Sequence, residues 1–385
     1  MSFPRWTEEH EAFRQTVRRF TRDEILPNAE QWQQQGRFPD ELIRKAGDLG
    51  LLGVRYSARW GGSELDYWYT VILVEELARG RDMGSVVGLL VQCEMATGII
   101  HAHGSDQLRD QWLLPAIKGE KIAALGVSEP GGGSDVAALT TSAVADGDDY
   151  IINGSKIFIS NGVRADFVTL AVRTGGPGPR GVSILVCPTD SPGYQVGSPL
   201  EKVDLHSGDT AELFFDNVRV PRRYLVGEEG AGFGYIMQAF QGERLVLSAM
   251  MNSLCRDVLE ETLDYMAQRK AFGRPLASMQ VWRHRMADLM TRLEASELLS
   301  YRAAEELCEG DPQGETTVSM AKLYGAELTR DLVLECAQAH GGYGFMKENY
   351  VARCARGVQN WGVGAGTSEI MREIIAKRRM PAGVA

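Results

Sequence analysis

The chain has 385 residues, more than one hydrophobic core usually organises, so two or three packed units are expected. Hydrophobic residues make up 44% and charged residues 24% of the chain, as in an ordinary globular protein. The formal net charge of −10 disfavours nucleic acid as a partner, because such binding depends on neutralising phosphates with basic residues.

The cysteines and the N-terminal residues indicate the cellular compartment in which the protein is expected. Six cysteines are scattered without a C-x-x-C pair, which argues against a zinc site and a disulfide scaffold and favours a reducing compartment. The first residues, MSFPRWTEEH, lack the apolar region of a signal peptide, and no apolar run approaches 18 residues. We therefore expect a cytoplasmic protein without a membrane span.

Residues 1–121 carry a helical pattern. Phe13, Val17, Phe20 and Ile25 recur at roughly helical spacing, and VILVEELARG at 71–80 continues the pattern. The paired glycines of ARWGGSELD at 58–66 interrupt it with a loop. The pattern predicts an N-terminal helical domain.

From residue 122 onwards, the sequence pattern changes to short segments rich in β-branched and aromatic residues. Three of them are FVTLAV at 167–172, GVSILV at 181–186 and ELFFDNVRV at 212–220, separated by clusters of Gly, Pro and Asp. These segments predict a middle β domain over 122–230.

The helical period returns in 231–385. Leu247, Met251, Leu254 and Val258 follow one another at helical spacing, and so does a second set in the next segment, namely Trp282, Met286, Leu289 and Leu293. Long amphipathic helices of this kind suit a bundle. The fold class is therefore predicted as α+β, mainly α, with helices, sheet and helices in chain order.

Five motifs stand out, and each has an ordinary structural interpretation when taken alone. LGVSEPGGGSDV (125–136) can be a flexible turn, and it is not a Walker loop because no Lys follows the glycines. NGSKIFISNG (153–162) can be a plain hairpin element, and FQGERLVLSA (240–249) can hold a solvated glutamate in the first turn of a helix. QRKAFGRPLASMQ (268–280) can be a helix end with dipole-pairing Arg269 and Lys270, and QAHGGYGF (338–345) a helix C-cap.

Together and in this order, the motifs resemble the acyl-CoA dehydrogenase family over essentially the full length. The segments that carry the resemblance are GVSEPGGGSD, NGSKIFISNG, ELFFDNVRVP, QRKAFGRPLASMQ, QAHGGYGF and GAGTSEI. The chain looks most like the long-chain and isovaleryl-type members. The resemblance implies a helical domain, a β-barrel-like middle domain and a C-terminal four-helix bundle, arranged as a homotetramer. It also implies FAD as the cofactor, a role in fatty acid metabolism through β-oxidation, and electron-transfer flavoprotein as the partner that accepts the electrons.

The same resemblance assigns cofactor residues. In the middle domain it points to the segment from Leu125 to Ser134, in which Ser128 would bond near the pyrimidine ring. Phe158 replaces the usual Trp against the flavin, and Ser160 replaces the usual Thr at N5. The full set implied for FAD is Leu125, Val127, Ser128, Gly133, Ser134, Phe158, Ile159, Ser160, Arg269, Phe272, Gln280, Gln338, Gly341, Gly342, Thr367 and Glu369. Within this set, Arg269, Gln280 and the segment 338–342 would serve the FAD of a neighbouring subunit.

The catalytic acid raises a separate question, because the commonest family position for it holds Ala365. Long-chain and isovaleryl-type members share this loss and carry the glutamate in an E-R-L setting early in the first long helix of the bundle. Here that setting reads Glu243-Arg244-Leu245, so the resemblance implies Glu243 as the base. The backbone N–H of Ala365 would hold the thioester carbonyl as part of an oxyanion hole.

The resemblance also assigns substrate contacts, to Ser134, Gln241, Arg244 and Gly366. The predicted reaction is therefore the FAD-dependent α,β-desaturation of a medium- to long-chain or branched acyl-CoA. Three alternatives stay open: the same reaction on an acyl group tethered to a carrier protein, a flavin monooxygenase, and a non-catalytic member that binds flavin or even DNA.

Overall fold

The computed structural model describes residues 6–381, so the beginning of the stretch inspected for a signal peptide, MSFPR, lies outside the described residues. By its contacts the chain divides into two compact units. One unit joins the chain up to Leu26, Tyr67–Arg81 and the chain from Arg244, and the other joins Pro27–Asp66 with Asp82–Glu243. Both units are therefore built from separate stretches of chain. The predicted domain boundaries after residues 121 and 230 stay a prediction.

The N-terminal part of the chain is helical, as its apolar spacing predicts. Its helices are α1 Glu8–Phe20, α2 Ala29–Gln35, α3 Glu41–Asp48, α4 Tyr67–Ala78, α5 Met83–Leu90, α6 Gly98–His103, α7 Asp106–Leu108 and α8 Leu114–Ile117. Thr7 caps α1 by accepting a hydrogen bond from the His10 N–H, and Val17 and Phe20 are buried on its inner face.

One helical stretch, Met83–His103, is long and apolar enough to cross a membrane by length and composition alone. In this protein 89% of an 18-residue apolar window within that stretch is buried. Such burial is typical of a core helix, and Val86, Leu90 and Ile100 have no accessible surface.

The middle of the chain forms one seven-stranded sheet. Its strands are β1 Ala123–Gly126, β2 Ser142–Asp146, β3 Asp149–Ser160, β4 Phe167–Arg173, β5 Val182–Pro188, β6 Tyr194–Val196 and β7 Thr210–Pro221. They lie in the order β1-β4-β2-β3-β7-β6, with β5 paired to β4. The three predicted strands correspond to β4, β5 and β7, and this confirms them. The first six residues of β4 and of β5 are buried, so these strands form the centre of the core.

Long helices follow the sheet. They are α9 Gly232–Gln268, α10 Gln280–Cys308, α11 Gly314–Ala339, α12 Tyr350–Trp361 and α13 Ser368–Arg379. The predicted apolar face of α9 is confirmed, because Leu247, Met251, Leu254 and Val258 are buried. On α10, Met286, Leu289 and Leu293 are buried, whereas Trp282, in the first turn of the helix, is only half-buried. A hairpin of two short strands, β8 Lys270–Ala271 and β9 Arg274–Pro275, joins α9 to α10.

Candidate active site

A β-bulge in β3 exposes an aromatic ring. The pairing of β3 with β7 runs from Lys156 opposite Leu213 to Ile159 opposite Ala211, so β3 contains one extra residue. Phe158 lies in this bulge with φ of +61°, a conformation that costs a non-glycine residue about 1–2 kcal/mol. Its side chain is 68% exposed. A strained, solvent-facing aromatic ring at a bulge indicates a surface built for a planar ligand.

The loop after β1 lies against this bulge. The N–H of Ile157 donates to the carbonyl of Ser128 at 3.0 Å. A Cβ added at Gly131 or Gly132 would meet no atom within 4 Å, so the loop opens onto free space. The glycine triplet therefore leaves the backbone accessible to a ligand.

Three serine hydroxyls in this region are available for a ligand. Within residues 6–381 the hydroxyls of Ser128, Ser134 and Ser160 take part in no hydrogen bond. A flavin presents several polar ring atoms beside an extended aromatic face, and hydroxyls near the exposed ring of Phe158 match both. The residues present thus fit FAD.

A buried ion pair supports the loop and the bulge together. The Lys156 ammonium is fully buried and donates to Glu129 Oε1 at 2.8 Å and to the Val127 carbonyl at 3.1 Å. The same carboxylate accepts hydrogen bonds from the N–H groups of Thr140 and Thr141 at 2.7 and 2.8 Å. Both charges are therefore paired and hydrogen-bonded, as buried charges must be to be stable.

The ion pair also sets the ionisation of Glu129. Burial on its own would raise the pKa of Glu129, but the charge of Lys156 and the hydrogen bonds from Lys156 and the two threonines lower that pKa to about 2. Glu129 is therefore a carboxylate at any physiological pH, with a structural role rather than that of a base.

The other residues predicted for this part of the site differ in what they can offer. Leu125, Val127 and Gly133 lie in β1 and the loop that follows it. Ile159 is only 3% exposed and its side chain packs into the core, so its backbone alone is available to a cofactor.

Helix α9 carries the predicted base. Glu243 lies eleven residues after the first residue of α9, so the interpretation as a solvated first-turn glutamate is wrong. Its neighbour Gln241 donates to the Met237 carbonyl at 3.1 Å, while its buried Oε1 atom accepts no hydrogen bond within the described residues. A buried unpaired acceptor marks a place where a ligand donor fits. Arg244 is only 3% exposed.

The turn before α13 presents a main-chain donor. Ala365 and Gly366 have φ of +55° and +99°, and no acceptor within residues 6–381 takes the N–H of Ala365. Two buried cations hold the adjacent carbonyls: Arg244 Nε donates to the Ala365 oxygen at 3.4 Å and Lys322 Nζ to the Gly366 oxygen at 2.6 Å. The turn is thus fixed, and the N–H of Ala365 is left for a ligand.

Two predicted cofactor residues follow directly on this turn. Thr367 caps α13, because its hydroxyl oxygen accepts a hydrogen bond from the Ile370 N–H at 3.3 Å. Glu369 is exposed in the first turn of the helix. Two hydrogen bonds hold the pKa of the Glu369 carboxyl below its usual range, first the one from its own backbone N–H and then the one from the Thr367 hydroxyl.

The last group of predicted cofactor residues lies at the ends of α9 and α11. The ring of Tyr265 stacks on His340 with centroids 4.3 Å apart, which brings these two helix ends together. Arg269 and Gln338 project nearby and are exposed. The remaining members of the group are equally exposed, namely Phe272 at the hairpin tip, Gln280, Gly341 and Gly342.

Glu129, Lys156 and Lys322 are functional candidates that sequence reasoning missed. The signal for Lys156 lies in β3, where a lysine occupies an inward position of an alternating strand and must have a buried partner. The signal for Lys322 lies in α11, where it interrupts a stripe of buried residues that includes Val318, Ala321 and Gly325.

Family comparisons agree with this geometry. Three family models match in order: acyl-CoA dehydrogenase N-terminal domain at residues 7–120, middle domain at 124–218 and C-terminal domain at 230–380. Together these models span most of the chain.

Curated relatives match over nearly the full length. The chain is 35% identical to the mitochondrial long-chain specific acyl-CoA dehydrogenase of Sus scrofa, over 97% of this chain and 86% of the relative. It is 34% identical to a short-chain specific acyl-CoA dehydrogenase of Clostridium acetobutylicum, over 96% and 97%. It is also 35% identical to the mitochondrial isobutyryl-CoA dehydrogenase of Bos taurus, over 96% and 89%.

Solved structures share the fold. A probable acyl-CoA dehydrogenase from Mycobacterium abscessus superposes with a TM-score of 0.94 at 39% identity, covering 97% of this chain and 99% of the other. An electron transferring flavoprotein structure from Acidaminococcus fermentans gives 0.94 at 30% identity, covering 99% and 100%. PigA in complex with FAD gives 0.95 at 29% identity, covering 98% and 99%. The three matching domain models, the full-length relatives and a site that fits FAD lead to one conclusion: this chain belongs to the acyl-CoA dehydrogenase family of FAD-binding oxidoreductases.

Proposed function

We propose that the protein desaturates a medium- to long-chain or branched acyl-CoA to the trans-2-enoyl-CoA, with Glu243 as the base that removes the α-proton. The observation that carries this proposal is the fixed turn at Ala365. Arg244, the residue next to Glu243, holds the carbonyl of Ala365 while the N–H of Ala365 stays available. The turn at Ala365, which has no acidic side chain, is thereby linked to helix α9, which carries Glu243.

The chemistry divides between a donor and a base. The N–H of Ala365 donates to the thioester carbonyl and stabilises the negative charge that develops there as the α-proton leaves. The Glu243 carboxylate takes that proton, and a partly buried carboxylate in an acyl-filled site is a stronger base than one in water. FAD, when bound, supplies the acceptor for the hydride that leaves the β-carbon. Ser128, Ser160 and the ring of Phe158 would hold it.

The acyl chain is proposed only as a class. The relatives named above act on long-chain, short-chain and isobutyryl substrates at nearly equal identity to this chain. One methylene in an apolar pocket changes binding by only about 1–3 kcal/mol, so small differences in the pocket decide between such substrates. Gly364 and Ala365 leave room for a branched or long chain beside the thioester.

The surroundings of the reaction are proposed from the same resemblance. The physiological electron acceptor is an electron-transfer flavoprotein, the assembly is a homotetramer and the compartment is the cytoplasm. Exposed apolar side chains at the ends of α9 and α11 support the assembly, since Phe272 is 97% and Phe345 88% exposed in the single chain.

The decisive experiment mixes the purified yellow protein anaerobically with a panel of saturated acyl-CoAs. We expect the flavin absorbance to bleach with one class of chain, and Glu243→Gln to slow bleaching by at least about a hundredfold while FAD stays bound. The matched control is Glu260→Gln on the same helix, because Glu260 is exposed and forms a surface ion pair with Arg79. This control should bleach at the wild-type rate.

Each other outcome selects an alternative. Unchanged bleaching by Glu243→Gln means that another carboxylate is the base. Bleaching only with acyl groups on a carrier protein indicates the tethered-substrate reaction, and oxygen consumption with hydroxylated product indicates a monooxygenase. No bleaching with any thioester indicates a non-catalytic flavoprotein.

A further inference from the structure

We infer that Lys322 is a positioning residue of the oxyanion hole, which it orients through the carbonyl of Gly366. This inference rests on the proposed function and extends it to a residue that does not itself touch the substrate. Lys322 lies in the middle of α11, has no accessible surface and donates to the Gly366 oxygen at 2.6 Å.

The backbone at residues 365 and 366 needs external support. Both residues have positive φ, and for Ala365 this conformation costs about 1–2 kcal/mol relative to an ordinary backbone. Without support the turn would relax and redirect the N–H of Ala365. The positive φ of Gly366 is normal for glycine, and a Cβ there would lie 2.9 Å from the Met371 side chain.

Two buried cations provide that support from separate helices. Arg244 of α9 binds the Ala365 carbonyl at 3.4 Å, and Lys322 of α11 binds the Gly366 carbonyl. Charge-assisted hydrogen bonds are about twice as strong as neutral ones and fix geometry more tightly. The shorter contact is the one made by Lys322, so it contributes more to the orientation of the turn.

The N-terminal side of the turn is held by neutral backbone contacts. Gly364 N–H donates to the Asn360 carbonyl at 3.0 Å, and Ser368 N–H donates across the turn to the Gly362 carbonyl, also at 3.0 Å. These bonds close the turn, and neither involves the peptide between residues 364 and 365. The N–H of Ala365 is therefore oriented through the two peptides that follow it, whose carbonyls Arg244 and Lys322 hold.

The test distinguishes a positioning role of Lys322 from a role in folding. It measures how much more tightly the protein binds a ligand with a thioester carbonyl than one without it. Calorimetry gives the dissociation constants of a 2-enoyl-CoA, which carries the thioester carbonyl, and of a matched thioether that lacks this oxygen. The wild type should bind the carbonyl ligand more tightly than the thioether. In Lys322→Met the ratio of the two dissociation constants should shrink by about tenfold, because the oxyanion hole is misaligned. In turnover, kcat should fall by a similar factor while KM changes less than about twofold.

Two further variants serve as controls. Lys322→Arg keeps a charged donor and should recover part of the preference. Thr329→Val lies on the same helix and removes a buried hydroxyl that bonds the Gly325 carbonyl at 2.7 Å. It should lower thermal stability without changing the carbonyl preference.

The outcomes distinguish this inference from the proposed function. A wild type without carbonyl preference and without turnover contradicts both. If the wild type shows both carbonyl preference and turnover, and Lys322→Met shows the same values, the positioning role is wrong and the proposed function stands. Equal loss of preference in Thr329→Val would show that Lys322 acts only through stability.

Discussion

At the scale of single residues, a buried ion pair supports the loop and the strand of the candidate site. Lys156 is fully buried and its ammonium bonds both Glu129 and the carbonyl of Val127. It therefore fixes the loop after β1 to the strand that bears Phe158. A buried ion pair of this kind need not stabilise a fold more than apolar residues would, but removing one partner is costly.

Lys156→Met should destabilise the protein by about 3–5 kcal/mol at pH 7, because it leaves the Glu129 carboxylate buried without its cation. The effect should shrink in acid. Glu129 has its folded pKa lowered to about 2 from an ordinary 4.5, so its contribution is present above pH 4.5 and is lost as the pH falls towards 2. Chemical denaturation of both proteins at pH 7 and pH 3 measures the difference.

The double variant Lys156→Met with Glu129→Gln is the control for this experiment. It removes both charges and should recover part of the lost stability at pH 7. If the single variant is equally destabilised at both pH values, the charge of Glu129 is not the cause.

At the scale of secondary structure, the bulge in β3 holds a residue, Phe158, that we expect to contribute to ligand binding and little to stability. Phe158 gains little from burial, since its ring is 68% exposed, and it carries the cost of positive φ. We therefore expect its position to be explained by contact with the proposed FAD.

Phe158→Gly should leave the melting temperature within a few degrees of the wild type, because relief of the positive φ offsets the loss of side-chain contacts. It should weaken FAD binding, and Phe158→Trp should strengthen it through a larger stacking area. Fluorescence titration of the apoprotein with FAD measures both. Val144→Gly, at an exposed position in β2, should cost about 0.5–1 kcal/mol of stability and leave FAD binding unchanged.

Secondary structure also shows most clearly which features of the fold can be predicted from the sequence and which cannot. The strands β4, β5 and β7 and the buried faces of α9 and α10 follow from apolar periodicity, because burial repeats along one element. The bulge does not, since it arises from the register between β3 and β7, far apart in sequence. The pairs Lys156 with Glu129 and Lys322 with Gly366 were missed for the same reason: each joins two elements through one side chain.

At the scale of the whole molecule, the single chain leaves large apolar groups in solvent. Phe272 and Phe345 are 97% and 88% exposed, and Tyr343 is 58% exposed near the stacked rings of Tyr265 and His340. Apolar surface on this scale is typical of an interface. A second copy of the chain is the partner we propose for it.

Phe272→Asp should therefore convert the proposed tetramer into smaller species and reduce the FAD retained on gel filtration. A charge in an apolar interface is desolvated without a partner, so association weakens. Sedimentation velocity of wild type and variant measures the mass. Val144→Asp places a charge on another exposed apolar side chain and should leave the mass unchanged. A monomeric wild type, or an unaltered Phe272→Asp, would contradict the proposed assembly.

The main-chain donor at Ala365 has a consequence for how such a site can change over generations. An oxyanion hole made of a backbone amide constrains the backbone conformation of residue 365 but not its side chain, so in the proposed site the base and the hole can change independently. In the proposed reaction, α9 supplies the carboxylate while the turn, held by Arg244 and Lys322, receives the thioester carbonyl. In that reaction the side chain of residue 365 is free to vary beside the reacting carbon, so that new acyl shapes can be accommodated there without a change in the chemistry.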